Sequence, residues 1–243
     1  MCDSEQTLMP CLRTVFVGRP EISPAGRNEL MLRTMDDLED YSIAATDGSV
    51  GRVKDFFFDD ELWIVRYFVV ETGAWTASRK ILISTMSIRA PNWLNRLLPV
   101  SMTRRQALEG ALQQQGAHPL RSCKTVTSAH IRAPDGDIGH VCGFLIDEEN
   151  WEIRYLIVDT CNWWLGHQVL IAPEWIEGMS WDEHTVSVKL TRAAVRDAPP
   201  YRPKTQFDRD AEMRLHDHYG YPGYWANKIE SHNTELQQPY GRC

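Results

Sequence analysis

Two runs of carboxylates, Asp59-Asp60-Glu61 and Asp147-Glu148-Glu149, are the first residues in this chain whose types and spacing could do chemistry. Three adjacent acids could draw a cation or pass protons. Adjacent side chains alternate in direction, however, and Ca2+ takes about 6–8 oxygens from a folded loop such as the EF-hand, whose pattern is missing. The spacing favours two solvated hairpin turns. His216-Asp217-His218 has the look of a ligand pair, but residues two apart on a helix face different ways, so a surface helix is the expectation. Cys142 and Cys161 have His140 and His167 near them in sequence, which is not triad geometry, and both cysteines read as small buried apolar residues. No phosphate loop, nucleophile elbow or dinucleotide fingerprint occurs. The residues therefore predict no catalytic, cofactor-binding or metal site. A metal-dependent hydrolase built on the acidic turns or the tail histidines is the enzymatic alternative.

The composition narrows the classes further. With 26 basic and 33 acidic side chains the formal charge is −7, which argues against a protein that coats nucleic acid. Apolar residues make up 43% of 243, enough for a core without staples. The six cysteines form no CxxC pair, which fits reduced thiols in the cytoplasm. No stretch approaches the ~20 apolar residues of a membrane span, and the first residues do not read as a signal peptide.

What must position these residues is a repeated unit. Asp47-Gly48-Ser49-Val50-Gly51-Arg52-Val53 returns 88 residues later as Asp135-Gly136-Asp137-Ile138-Gly139-His140-Val141. The same offset pairs Asp59 with Asp147, Arg66 with Arg154 and Tyr67 with Tyr155. It also pairs Trp63 with Trp151, Trp75 with Trp163, and Trp93 with Trp181. The predicted organisation is an N-terminal arm over residues 1–29, a first repeat over 30–112, a polar linker over 113–119, a second repeat over 120–199 and a tail over 200–243.

Each repeat reads as β-rich. Asp47-Gly48 and Asp135-Gly136 are hairpin dipeptides, because glycine tolerates the positive φ such turns need. Strands are predicted over 50–58, 63–70, 80–83 and 98–102, and over 138–146, 151–158, 168–171 and 186–190, spaced as in a small antiparallel barrel. In the long strands both alternating sets are mostly apolar: Val65, Tyr67 and Val69 on one side, Phe68 and Val70 on the other. The outer face must therefore be covered, by the other copy, by the tail or by a partner. In the tail, Thr205 and Asp208 form a capping-box-like start, Phe207, Ala211, Leu215 and Tyr219 recur every four residues, and Gly220 marks the end of one amphipathic helix.

The DGxxG run with its following strand, and Trp63-Ile64-Val65-Arg66-Tyr67-Phe68-Val69-Val70-Glu71-Thr72 together with its second-copy counterpart, resemble the PRC-barrel. That domain takes its name from the cytoplasmic part of the photosynthetic reaction centre H subunit. The resemblance covers both copies and implies a mainly β fold: two tandem small antiparallel β-barrels followed by a C-terminal amphipathic helix. It implies a non-enzymatic, cytoplasmic bacterial adaptor that docks a protein partner or itself, with no cofactor and no nucleic acid. The alternative it offers is a peripheral component at the inner membrane, beside a photosynthetic or quinone-linked complex, supporting electron and proton transfer. The H subunit begins with a membrane-spanning helix and has one barrel, where this sequence has two copies and no such segment. The candidate partner-interface residues are Arg66 and Arg154, set mid-strand among apolar neighbours, and Trp164, Trp175, Tyr221, Tyr224 and Trp225, which have no counterpart in the first copy. For the two arginines the plainer expectation is a pair with Glu71 or Asp159.

Overall fold

One local device opens each copy. A hydroxyl at the end of a short strand caps a single helical turn: Thr34 accepts the Asp37 amide, and Ser122 accepts the Thr125 amide. The structure, a computed structural model, describes residues 32–73, 78–110, 120–160, 167–203 and 207–226. The first copy runs β1 (Leu32–Thr34), α1 (Met35–Leu38), β2 (Ser42–Ala45), β3 (Gly48–Asp59), β4 (Ile64–Thr72), β5 (Arg79–Ser84), β6 (Leu97–Pro99) and α2 (Arg104–Gly110). The second runs β7 (Leu120–Ser122), α3 (Cys123–Val126), β8 (His130–Ala133), β9 (Gly136–Asp147), β10 (Ile153–Asp159), β11 (Gln168–Ile171), β12 (Ile176–Ser180), β13 (Thr185–Val188) and α4 (Arg192–Arg196), and the tail supplies α5 (Arg209–Tyr219). The fold is mainly β, in two sheets.

The DGxxG run shapes both sheets. Gly48 and Gly136 turn at φ values of 135° and 127°. The preceding aspartates cap helices far along the chain: Asp47 accepts the Arg104 amide at 2.7 Å and Asp135 the Arg192 amide at 2.9 Å. The last glycine of the run serves another purpose. A Cβ on Gly51 would collide with the Glu71 carbonyl, and one on Gly139 with the Asp159 carbonyl. Only a bare Cα lets the two long strands of each copy lie this close.

The small antiparallel barrel expected of each copy does not close. The sheet paths are β5-β4-β3-β2-β6 and β11-β10-β9-β8-β13-β12, and β2 with β6, like β8 with β13, pair in parallel. The reason lies at one corner. After β5 the chain makes a 3-10 turn at Thr85–Ser87 before Ile88 meets Val100. After β11 it turns at Pro173–Trp175 before β12 pairs with β13. Each turn interrupts the hydrogen-bond ladder, so the sheets are open.

The two copies are interlocked. β1 pairs with β9 of the other copy, setting Leu32 opposite Asp147, while β7 pairs with β3, setting Leu120 opposite Asp59. Between the copies, the Val65 amide donates to the Trp151 carbonyl at 2.9 Å and the Ile153 amide to the Trp63 carbonyl at 2.7 Å. Trp63 and Trp151 make this crossing with left-handed backbones, φ 55° and 62°. Phe58, Phe144, Phe68 and Trp151 fill the seam edge to face and tilted, and a single apolar core runs through both copies.

Candidate functional site

The acidic turns are built into this seam. Arg33 on the exchanged β1 pairs with Glu148 at 2.6 Å and lies over the Trp93 ring at 4.1 Å. In the other direction Arg121 on β7 pairs with Asp60 at 3.0 Å and lies over Trp181 at 4.1 Å. The first acid of each turn is buried. Asp59 Oδ1 accepts the Glu61 and Leu62 amides, and Asp147 Oδ1 accepts the Glu149 amide. Burial works against the Asp59 charge, but the Leu62 and Glu61 amides and Arg66 outweigh it and hold the carboxyl below its usual range. The expectation of solvated turns is thus corrected: two acids of each run have fixed partners, and only Glu61 and Glu149 face water. The expected arginine pairs are corrected too. Arg66 pairs with Asp59 at 3.4 Å, and Arg154 with Asp147 at 3.0 Å and Glu152 at 2.6 Å, because a bulged hairpin brings residues seven apart together. Among the described residues no three or more His, Cys, Asp or Glu side chains are placed to hold a metal ion.

Most of the remaining candidate residues meet in one cluster, where the tail crosses the second copy. Asp208 caps α5 by accepting the Ala211 amide at 2.9 Å, and Gly220 closes it at φ 73°. Thr205 and Trp164 lie outside the described residues. Trp175 is fully buried against His216, Tyr219 and Tyr221. Arg154 lies 4.0 Å from the Tyr224 ring centroid, and Trp225 packs edge-on against His216. Arg154, Trp175, Tyr221, Tyr224 and Trp225 therefore serve to fix the tail to the second copy. Arg66 stands apart, on the first.

His216 and His218 face opposite ways, as their spacing requires. His218 donates to the Ala194 carbonyl from an exposed position, but His216 is buried, which corrects the surface-helix reading for that residue. Its Nδ1 donates to the Pro222 carbonyl, so Nε2 is left to accept from the Tyr155 hydroxyl at 2.9 Å. That same hydroxyl faces Glu212 Oε1 at 3.1 Å, and Glu212 is held by the Tyr224 hydroxyl and by Arg209. Nothing in the helical period announces Glu212, a buried acid on an apolar face. The identity of Tyr67 and Tyr155 across the repeat was the one available hint.

Burial lowers the His216 pKa and raises that of Glu212, so their contributions run opposite ways with pH. The unfolded chain takes up the histidine proton near pH 6.5. Stability from neutral His216 is complete above that value and is lost as pH falls through the lower folded pKa. Glu212 gives the reverse: its penalty grows as pH rises from 4.5 through the raised folded pKa, so acidification relieves it. The two contributions oppose each other between pH 7 and pH 5, and the change of the urea midpoint over that range reads their difference. Relative to wild type, acidification should lower the midpoint less in His216→Gln and more in Glu212→Gln. A wild-type slope unchanged in both variants would remove these groups from the account.

The outer faces of the two copies differ. On the second, Leu145, Tyr155, Ile157 and Leu170 share a face by register and are all buried, with Phe207 edge-on to Tyr155 and α5 across them. On the first, the matching positions are Phe57, Tyr67, Val69 and Leu82; only Val69 is buried and the other three are partly exposed. Where the second copy has Trp175 and Glu174, the first has Ser87 and Met86, the latter 90% exposed. The doubly apolar strands expected to need a cover have a helix over one copy, and no such helix over the other among the described residues. No described helix is long and apolar enough to cross a membrane. Comparison with family models and with curated proteins finds no match for this chain.

Proposed function

We propose that this protein is a non-enzymatic docking module of the PRC-barrel type, binding a protein partner through the outer face of its first copy. The observation that carries this reading is the inequality of the two faces: one sequence pattern, repeated, is buried under α5 on β10 and β11, while on β4 and β5 Tyr67 and Leu82 stay partly exposed with no helix over them among the described residues. Met86, 90% exposed in the turn that follows β5, adds a further apolar side chain at the surface of this copy. A patch of partly exposed large side chains, ringed by charge, is the usual mark of an interaction surface. The resemblance of both repeats to the PRC-barrel supports the same reading. The titratable groups of the tail cluster are tied into folding contacts, which is a structural use of them.

A photo-crosslinking residue at position 82, in the full chain expressed in its native host, tests this. A discrete protein adduct is expected from position 82 and not from position 213, where Met213 is 41% exposed on the outward side of α5. Equal labelling from both positions, or none from 82, would remove the docking role.

A further inference from the structure

A trough crosses the seam where the acidic turn of the first copy meets the 3-10 corner of the second. Two adjoining cavities, about 410 and 350 Å³, share Glu61, Trp63, Pro173 and Ile176 and so run together. We infer that this trough takes a basic, extended segment of a partner protein, added as a further strand alongside β12. It contains none of Phe57, Tyr67, Val69 and Leu82, and is a second surface independent of the docking face on β4 and β5.

The backbone argues for a strand. β12 ends its sheet: it pairs with β13 on one side, and on the other no backbone group of the described residues bonds to it. Four consecutive residues, Ile176 to Met179, line the trough. Side chains of a strand alternate between its faces, so an approach that meets all four comes along the edge. Gly178 leaves that approach open, with nothing within 4 Å of the place of a Cβ. The first copy has no such edge. At the 88-residue offset Pro91 stands for Met179 and Arg89 for Glu177, and single bridges at Ile88 and Asn92 replace the strand.

Charge selects the ligand. The lining carboxylates are Asp60, Glu61, Glu152, Glu174 and Glu177, against Arg154 and Lys189. Asp60 is taken by Arg121 and Glu152 by Arg154, while the Lys189 ammonium donates to the Glu174 backbone carbonyl. Glu61, Glu174 and Glu177 have no ion pair among the described residues. They are spread along the trough, Glu174 in one cavity, Glu177 in the other and Glu61 in both, among apolar side chains such as Trp63 and Trp181. Lysine or arginine at alternate positions of an extended chain meets such a spread, and the aliphatic stems cover the apolar surface.

The chain's own remaining segments fit poorly on the same ground. Residues 227–243 carry Lys228 and Arg242 against Glu230 and Glu235, and residues 1–31 carry three arginines against four acids. The internal stretches outside the described residues hold one lysine, Lys204. Two copies meeting edge to edge at β12 would bring Glu177 towards Glu177.

The probe is a fluorescent eight-residue peptide alternating lysine with valine, titrated by anisotropy against the full chain. Saturable binding is expected, with slowed amide exchange over residues 176–180 as the sign of an added strand. Affinity should fall at least about fivefold in Glu61→Lys and in Glu177→Lys, and less than about twofold in Glu109→Lys, an exposed acid on α2. Absence of saturable binding overturns the inference. So does affinity unchanged in the first two variants, or lowered equally in the third, which marks attraction to an acidic surface alone. Binding without slowed exchange in β12, or displacement by spermidine at the peptide's own concentration, would make the ligand a free cation. Binding that appears only after residues 227–243 are deleted would make that segment the occupant, and a dimer dissolved by Glu177→Lys would make it a second copy. Each of these overturns the partner segment.

Discussion

Gly139→Ala is expected to destabilise the protein by about 3 kcal/mol or more, read from the urea midpoint at constant slope. The added methyl group would meet the Asp159 carbonyl oxygen, which is backbone. Asp159 cannot retreat easily, because it is paired with His140 on one side and Gln168 on the other. Relief requires parting β9 from β10, the strands between which the tail cluster and the seam are organised. Gly51→Ala should behave alike, since Glu71 is held between Arg52 and Lys80. Gly178 is the control: nothing lies within 4 Å of a Cβ there, and its alanine variant should stay within about 0.5 kcal/mol of wild type. An unchanged midpoint in Gly139→Ala would show that the close approach is not required.

The second large effect is expected at Arg154. Its removal leaves Asp147, with no exposed surface, facing only the Glu149 amide and a void. Breaking a buried pair from one side typically costs about 3–5 kcal/mol. The loss of the Tyr224 contact adds to it, so the tail should loosen at the same time. The first copy provides the comparison within the same molecule. Arg66 is 38% exposed where Arg154 is 7%, and its contact with Asp59 is longer. Water can replace it, and Arg66→Ala should cost about 1 kcal/mol or less. Pairing Arg154→Met with Asp147→Asn should recover much of the loss, because no charge is then stranded. Equal costs at the two arginines in chemical denaturation would contradict this account of burial.

These effects also explain what could be seen in the sequence. The 88-residue offset placed β3, β4, β5 and their counterparts within a few residues, because long apolar runs and DG turns are local signals. α5 was legible through its four-residue recurrence and Gly220. The exchange of β1 and β7 was not, although Leu32-Arg33 and Leu120-Arg121 repeat. A three-residue strand has no period of its own, and which edge it joins is decided by partners such as Glu148 and Asp60 in the other copy. The open first sheet escaped for a related reason: its 3-10 corner at Thr85–Ser87 carries no Gly or Pro to mark it, whereas the second corner begins at Pro173. At the candidate site the aromatic residues of the tail stood out as candidate partner contacts because they have no counterpart in the first copy. Their use was hidden, since side chains suited to grip a partner are equally suited to grip the chain's own strands. The need for a cover was visible in Tyr67 and Tyr155 alike; which one had it was a matter of tertiary contact.

The crossed opening strands have a consequence for how such a molecule could arise. A single unit of this design, alone, would leave one edge of its longest strand bare and its own first strand without a mate. Two identical units would complete each other about a twofold axis, as subunits that trade an arm do. Joined in one polypeptide, the halves keep that reciprocity through Arg33 with Glu148 and Arg121 with Asp60, yet are released from having to stay alike. One half could then take on Trp175 and a built-in lid while its twin acquired Arg52 and Lys80. Fusion turns a symmetric pair into a body whose two sides differ, one sealed under its own helix and the other partly exposed at Phe57, Tyr67 and Leu82.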